Sequence, residues 1–262
     1  MNLTMYQVDA FTSRVFGGNP AGVVPLESWL PDAVLQNIAM ENNLAETAFF
    51  VRDNSGEADY HLRWFTPNME MDLCGHATLA SAHILKTELG DSSDRVRFRS
   101  KSGVLAVNVE GDRLVLDFPS RPGRPGPVTE EVTAALGHRP QEVLHARDLM
   151  AIFNSQKEVQ ALRPDMERVA SLDAFAVIVT APGDDCDFVS RFFAPKAAVP
   201  EDPVTGSAHC TLIPYWAKRL GKRELFARQV SARGGEIHCR DAGDRVHIGG
   251  QCATYLKGRI RV

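Results

Sequence analysis

The chain repeats itself once, and that repeat limits its fold more than any other feature. Gly75-His76-Ala77 returns as Gly206-Ser207-Ala208 at an offset of 131 residues. Gly111-Asp112-Arg113 returns as Gly243-Asp244-Arg245 at 132, and Gly103 matches Gly235 at the same offset. Upstream, Arg63-Trp64-Phe65-Thr66-Pro67 is echoed by Arg191-Phe192-Phe193-Ala194-Pro195. Several matches at nearly one offset argue for two copies of one structural unit.

Within each copy, short β-rich runs alternate with a few helical stretches. Strands are expected at residues 3–10, 47–51, 60–65, 96–100, 105–109 and 114–118, and helices at 31–42 and 76–86. In the second copy, helices are expected at 130–136, 164–172 and 207–220. Strands are expected around 149–153, 174–180, 187–193, 229–231, 236–239 and 246–248. Pro214 falls inside the helix at 207–220 and should kink it. The run Pro119, Pro122, Gly123, Pro125, Gly126, Pro127 reads as the linker between the copies. The class is α+β. Two such units can face each other, and two helix N termini would then point into one cleft, a ready site for a carboxylate.

Composition narrows the function. The 29 basic and 33 acidic residues give a net charge of −4, without the basic excess of a nucleic-acid binder. No stretch approaches the roughly eighteen apolar residues of a membrane helix. Residues 1–20 carry Asp9 and Arg14 and do not read as a secretory signal, so a cytoplasmic protein is expected. The five cysteines are odd in number and lack C-x-x-C spacing, so neither a disulfide framework nor a structural metal site is expected.

Chemistry-bearing residues gather at the loop–helix junctions. Met71-Asp72-Leu73-Cys74-Gly75-His76 puts a thiol and an imidazole at the first helix start. Glu201-Asp202-Pro203-Val204-Thr205-Gly206-Ser207 puts two carboxylates and two hydroxyls at the second. Thr205 or Ser207 could also serve simply as an N-cap. Glu46 lies where a helix hands over to the apolar strand Thr47-Ala48-Phe49-Phe50, a setting in which a desolvated carboxylate can carry protons; an exposed loop glutamate is the other reading. Phe16-Gly17-Gly18-Asn19-Pro20-Ala21-Gly22 reads as a tight loop, either an ordinary turn or a wall of the cleft. No phosphate-binding glycine fingerprint is present.

These segments resemble the PhzF-like, phenazine-biosynthesis family, which shares the diaminopimelate-epimerase fold. The resemblance rests on Val8-Asp9-Ala10-Phe11-Thr12 with Gly18-Asn19-Pro20-Ala21, on Leu44-Ala45-Glu46-Thr47-Ala48-Phe49, on Arg63 to Pro67 with Cys74-Gly75-His76-Ala77-Thr78-Leu79-Ala80, and on Glu201-Asp202-Pro203-Val204-Thr205-Gly206-Ser207-Ala208. It implies two pseudo-symmetric halves, each a curved, mostly antiparallel sheet around a central helix. The halves would be residues 1–118, completed by a returning strand at 254–262, and residues 119–253. The implied activity is cofactor-independent isomerisation of a small carboxylate-bearing metabolite. Glu46 would be the acid/base, with His76 and Asp202 assisting. Asn19, Gly75, Gly206 and Ser207 would hold the substrate. No cofactor, metal, nucleic acid or membrane partner is implied, and a homodimer is compatible with the family. Epimerases of this fold use one cysteine from each half. Here Cys74 has no thiol counterpart in Asp202-Pro203-Val204-Thr205, and Cys210 lies about a helical turn beyond Gly206. An epimerase using Cys74, or a member that only binds a ligand or partner, are the alternatives.

Overall fold

In the computed structural model, which describes residues 1–262, the chain sorts into two units: Met1–Asp117 with Gly249–Val262, and Phe118–Ile248. The first unit runs β1 (Asn2–Ala10), β2 (Asn19–Pro25), α1 (Asp32–Asn42), β3 (Glu46–Arg52), β4 (Tyr60–Phe65), β5 (Glu70–Met71), α2 (Gly75–Thr87), β6 (Arg95–Ser100), β7 (Gly103–Glu110) and β8 (Arg113–Pro119). The second runs β9 (Arg124–Gly126), α3 (Glu130–Leu136), β10 (Glu142–His145), β11 (Leu149–Ile152), α4 (Gln156–Ala161), α5 (Met166–Ser171), β12 (Val177–Pro182), β13 (Phe188–Ala194), β14 (Val199–Asp202), α6 (His209–Leu220), β15 (Glu224–Gln229), β16 (Gly235–Asp241) and β17 (Arg245–Gly250). A last strand, β18 (Cys252–Arg261), returns to the first unit and pairs antiparallel with β1 from Asn2↔Arg261 to Ala10↔Cys252.

Strand pairing reproduces the sequence repeat. In the first unit β1 is antiparallel to β2, β2 parallel to β3, β3 antiparallel to β4, β4 parallel to β6, and β6 antiparallel to β7. In the second, the same senses link β10 to β11, β11 to β12, β12 to β13, β13 to β15, and β15 to β16. The short β5 lies against β4 as β14 lies against β13. What β18 does for β1, β9 does for β10. The fold is thus α+β, each unit mostly antiparallel with two parallel joins.

One helix sits at the centre of the first unit because its side chains are small. Ala77, Thr78, Ala80, Ser81 and Ala82 of α2 are all buried, and Leu79 and Ile84 are fully so. Small residues let the helix lie close to β1, β2 and β3, its neighbours in the fold. Two hydroxyls that close approach would strand are satisfied within the helix: Thr78 Oγ1 donates to Cys74 O at 2.5 Å and Ser81 Oγ to Ala77 O at 2.8 Å. The second unit's α6 is buried through larger side chains, Leu212, Ile213 and Trp216, together with Cys210. No helix is long and apolar enough to cross a membrane.

Four local expectations are corrected. Asn19 to Gly22 are not loop but the start of β2: the turn ends at Gly18, and Ala21, Val23 and Val24 are fully buried. The supposed linker contains strand β9. There Gly123 and Gly126 admit β10, since a Cβ would lie 2.8 Å from Leu144 Cβ at the first and 2.3 Å from His145 Cδ2 at the second. The helix of residues 207–220 begins as a 3-10 turn, Gly206–Ala208, and passes through Pro214 to Leu220. Proline removes the N–H that would bond to Cys210 O, and the backbone N–H of Arg121 takes its place at 2.8 Å. The strand expected at 229–231 ends at Gln229 instead, whose side chain is needed elsewhere.

Candidate active site

Each unit carries a polar corner where its central helix starts, and the two are built differently. In the first unit, β2 opens with Asn19, β3 opens with Glu46, and Cys74 is the N-cap residue of α2, one turn-position ahead of Gly75 and His76. Because β2 and β3 are parallel, with Ala21 opposite Glu46, both strands deliver their first residues to the same edge. His76 is nearly fully buried. Its Nε2 lies 3.0 Å from Glu46 Oε2, although the ring N–H is not aligned on that oxygen. Its Nδ1 lies 3.2 Å from Asn19 Nδ2 and 3.6 Å from Cys74 Sγ. The imidazole therefore separates the thiol from the carboxylate.

Two opposing forces act on this ring. Burial disfavours the imidazolium, but the facing Cys74 and Glu46 outweigh it and hold the His76 pKa well above the ordinary value. Burial also pushes the Cys74 thiol up to about 11. Glu46, Cys74 and His76 offer ligand atoms within 4.8 Å of one another. The carboxylate and thiol nevertheless face different ring nitrogens, an arrangement suited to passing protons rather than to enclosing one ion.

The second unit's corner is a hydroxyl and amide network. Thr205 Oγ1 donates to Asp202 Oδ2. Gln229, buried in β15, donates to Asp202 O at 2.7 Å and accepts from Thr205 N at 2.8 Å. Ser231 Oγ donates to Pro203 O at 2.8 Å. The loop between β14 and α6 is thus fixed from below by the end of β15. Ser207 Oγ accepts from Arg147 Nη2 at 3.3 Å, and Arg147 forks onto the buried Asp148 at 3.0 and 2.7 Å. His209, fully buried, uses Nδ1–H to bond Thr205 O at 2.9 Å, and burial lowers its pKa to about 4.

Neither central helix has a side-chain cap: Cys74 and Thr205, the residues before the two helix starts, accept no hydrogen bond from the following turn. The capping alternative for Thr205 is therefore overturned: its hydroxyl donates to Asp202 and accepts from Gln229 Nε2 rather than from a helix N–H. By contrast α3, α4 and α5 are capped by Thr129, Ser155 and Asp165. Uncapped N termini keep N–H groups available for an anion. Of the residues singled out from sequence, Asn19, Glu46, Gly75 and His76 meet in the first unit, while Asp202, Gly206 and Ser207 form the α6 junction of the second. Glu201 is not a free carboxylate. It forks onto Arg191 at 2.7 and 2.9 Å, as Glu70 forks onto Arg63 at 2.7 and 3.0 Å. Arg147 and Gln229 carried no sequence signal, since only folding brings them to this junction.

The pseudo-duplicated α+β fold is the one shared by epimerase-like proteins, and at one of its central helices a carboxylate, an imidazole and a thiol meet. Residues 8–258 match the family described as phenazine biosynthesis-like protein, and the chain belongs to that family. It is 54% identical over 264 residues, covering all of both chains, to a Pseudomonas aeruginosa protein named an uncharacterized isomerase. The crystal structure of a PhzF-family phenazine biosynthesis protein from Enterococcus faecalis superposes with a TM-score of 0.97 at 48% identity, again over all of both chains. A hydroxyproline epimerase from Agrobacterium vitis shares the fold, with a TM-score of 0.65 at 10% identity over 99% of this chain and 92% of that one.

Proposed function

We propose that this enzyme is a cofactor-independent isomerase that relocates a proton on a small carboxylate-bearing metabolite, with Glu46 as the acid/base. The observation carrying the proposal is the approach of Glu46 Oε2 to His76 Nε2 at 3.0 Å in a nearly buried corner. Glu46 takes a proton from a carbon activated by a neighbouring unsaturated or carbonyl group. The electron pair left behind delocalises into that group, and Glu46, whose proton can exchange with solvent, delivers a proton to a second carbon. His76 holds the carboxylate of Glu46 in place and steadies its charge. The reading gives Asp202 a supporting part in transfer, and gives Ser207 with the backbones of Gly75 and Gly206 the task of binding the substrate carboxylate.

The test is solvent deuterium exchange, followed by NMR over a panel of small carboxylates. Wild type should label at least one substrate carbon, and Glu46→Gln should lose that labelling by about two orders of magnitude or more. Full turnover by Glu46→Gln would end the assignment. An epimerase relying on Cys74 is less well supported, because burial keeps that thiol protonated near neutral pH. A protein that only binds would label no candidate. A cytoplasmic homodimer belongs to the same reading, to be checked by fractionation and sedimentation.

A further inference from the structure

Asn19 sits deeper in the first corner than a substrate-contacting residue needs to. It is fully buried and lies opposite Ala10 in the β1–β2 pair. The chain reaches it through a constrained loop: Phe11, Phe16 and Gly18 have φ of 62°, 70° and 59°. A side chain at Gly18 is excluded, since its Cβ would lie 2.1 Å from Ala10 O. The buried Asp9 anchors the loop by accepting from Phe16 N at 2.9 Å. Left-handed backbone at two phenylalanines costs energy, and it persists here in a loop whose end point is one amide facing one imidazole nitrogen.

We infer that Asn19 is a positioning residue for His76: it holds Nδ1 as a hydrogen-bond acceptor, so that the neutral ring keeps its proton on Nε2, facing Glu46. The Asn19 amide donates to Nδ1 across 3.2 Å, and the Cys74 thiol, 3.6 Å from the same nitrogen, is a second donor. The groups facing the ring are thus Asn19 from β2, Glu46 from β3, and Cys74 before α2. When the ring takes a second proton, at Nδ1, the amide serves it equally well by turning its carbonyl inward, because asparagine offers a donor and an acceptor of one shape. Aspartate cannot do both. Leucine, nearly the same shape, can do neither. The catalytic consequence rests on the isomerase reading, but the tautomer is a property of the resting protein.

The experiment is long-range proton–nitrogen NMR on protein labelled at histidine nitrogens, recorded on the alkaline side of the His76 titration. In wild type, neutral His76 should carry its proton on Nε2 in about tenfold excess or more. Asn19→Asp should shift the proton toward Nδ1, and Asn19→Leu, which leaves Glu46 at Nε2 and Cys74 at Nδ1, should shrink the Nε2 excess without reversing it. Circular dichroism establishes which variants are folded, and either folded variant decides the matter. A wild-type ring protonated on Nδ1, or folded variants that keep the wild-type pattern, would overturn the inference. Failure of Glu46→Gln to lose exchange would instead strike the isomerase reading and leave the tautomer result standing.

Discussion

The two helix-start corners share a backbone plan and differ in what they do with charge. In the first, an imidazole meets a carboxylate and its pKa is held well above the ordinary value. In the second, the histidine near the helix start is sealed in apolar surroundings beside Phe188, and burial lowers its pKa to about 4. Duplication supplied one scaffold, and side-chain choice gave one copy an imidazole between a carboxylate and a thiol and the other a hydroxyl and amide network around Asp202. The lesson is that a shared fold fixes where residues stand, while neighbours and burial fix what they can do.

The comparison breaks most readily at Glu46. Glu46→Gln should lower substrate proton exchange by about 10²–10⁴-fold with the fold intact, as read by NMR and circular dichroism. A comparable loss on removing a hydroxyl or amide of the second corner, as in Gln229→Leu, would show that the corners do not divide the work as described.

The next effect concerns the paired arginines. Each forks onto a glutamate of the neighbouring short strand and lies over an aromatic ring two residues on, Arg63 at 5.1 Å from Phe65 and Arg191 at 4.9 Å from Phe193. Arg191 is the more deeply engaged. It also donates to Val159 O and Leu162 O at 3.1 and 3.0 Å, capping the end of α4, whereas the extra partner of Arg63 is the exposed Asp32. Arg191→Met should therefore cost about 3–5 kcal/mol in urea unfolding, and Arg63→Met clearly less. Equal costs would mean that the α4 carbonyls find other partners.

The two histidines should tilt stability with pH in opposite directions. His76 has a raised folded pKa, so its contribution is complete below about 6.5 and is lost as pH rises through the folded value. His209 has a lowered one. Between about 6.5 and about 4 the unfolded chain binds a proton that the folded chain refuses, so stability falls on acidification, by on the order of 3 kcal/mol. Urea midpoints across pH should show the acid loss shrink in His209→Asn and the alkaline loss shrink in His76→Asn. The smallest effect is expected for Cys74→Ala, which should keep turnover within about threefold, since a protonated thiol is a poor base. Abolished turnover there, with Glu46→Gln active, would revive the cysteine epimerase.

Much of this was legible in the chain itself. The offset repeat announced the duplication, and the matching strand senses confirm it. Glycine with a run of small residues announced α2. What escaped had no local signature. Asn19-Pro20-Ala21-Gly22 looks like a turn because glycine and proline dominate it, yet burial between β1 and β3 makes it a strand. Gly22 is there because a Cβ would lie 2.9 Å from Thr47 Oγ1, a contact visible only once the strands pair. Arg147 and Gln229 are 60 and 22 residues from Ser207 in sequence. No periodicity links such residues, and only tertiary pairing does.

The strand that completes β1 has a bearing on biosynthesis. A ribosome releases Phe118–Ile248, with every strand of the second unit, before it releases β18. Until then β1 has β2 on one side and an open edge on the other. The earlier-made half is thus the later one to complete its sheet, and a chain cut short after Gly250 would carry every strand of the second unit while β1 kept one edge unsealed.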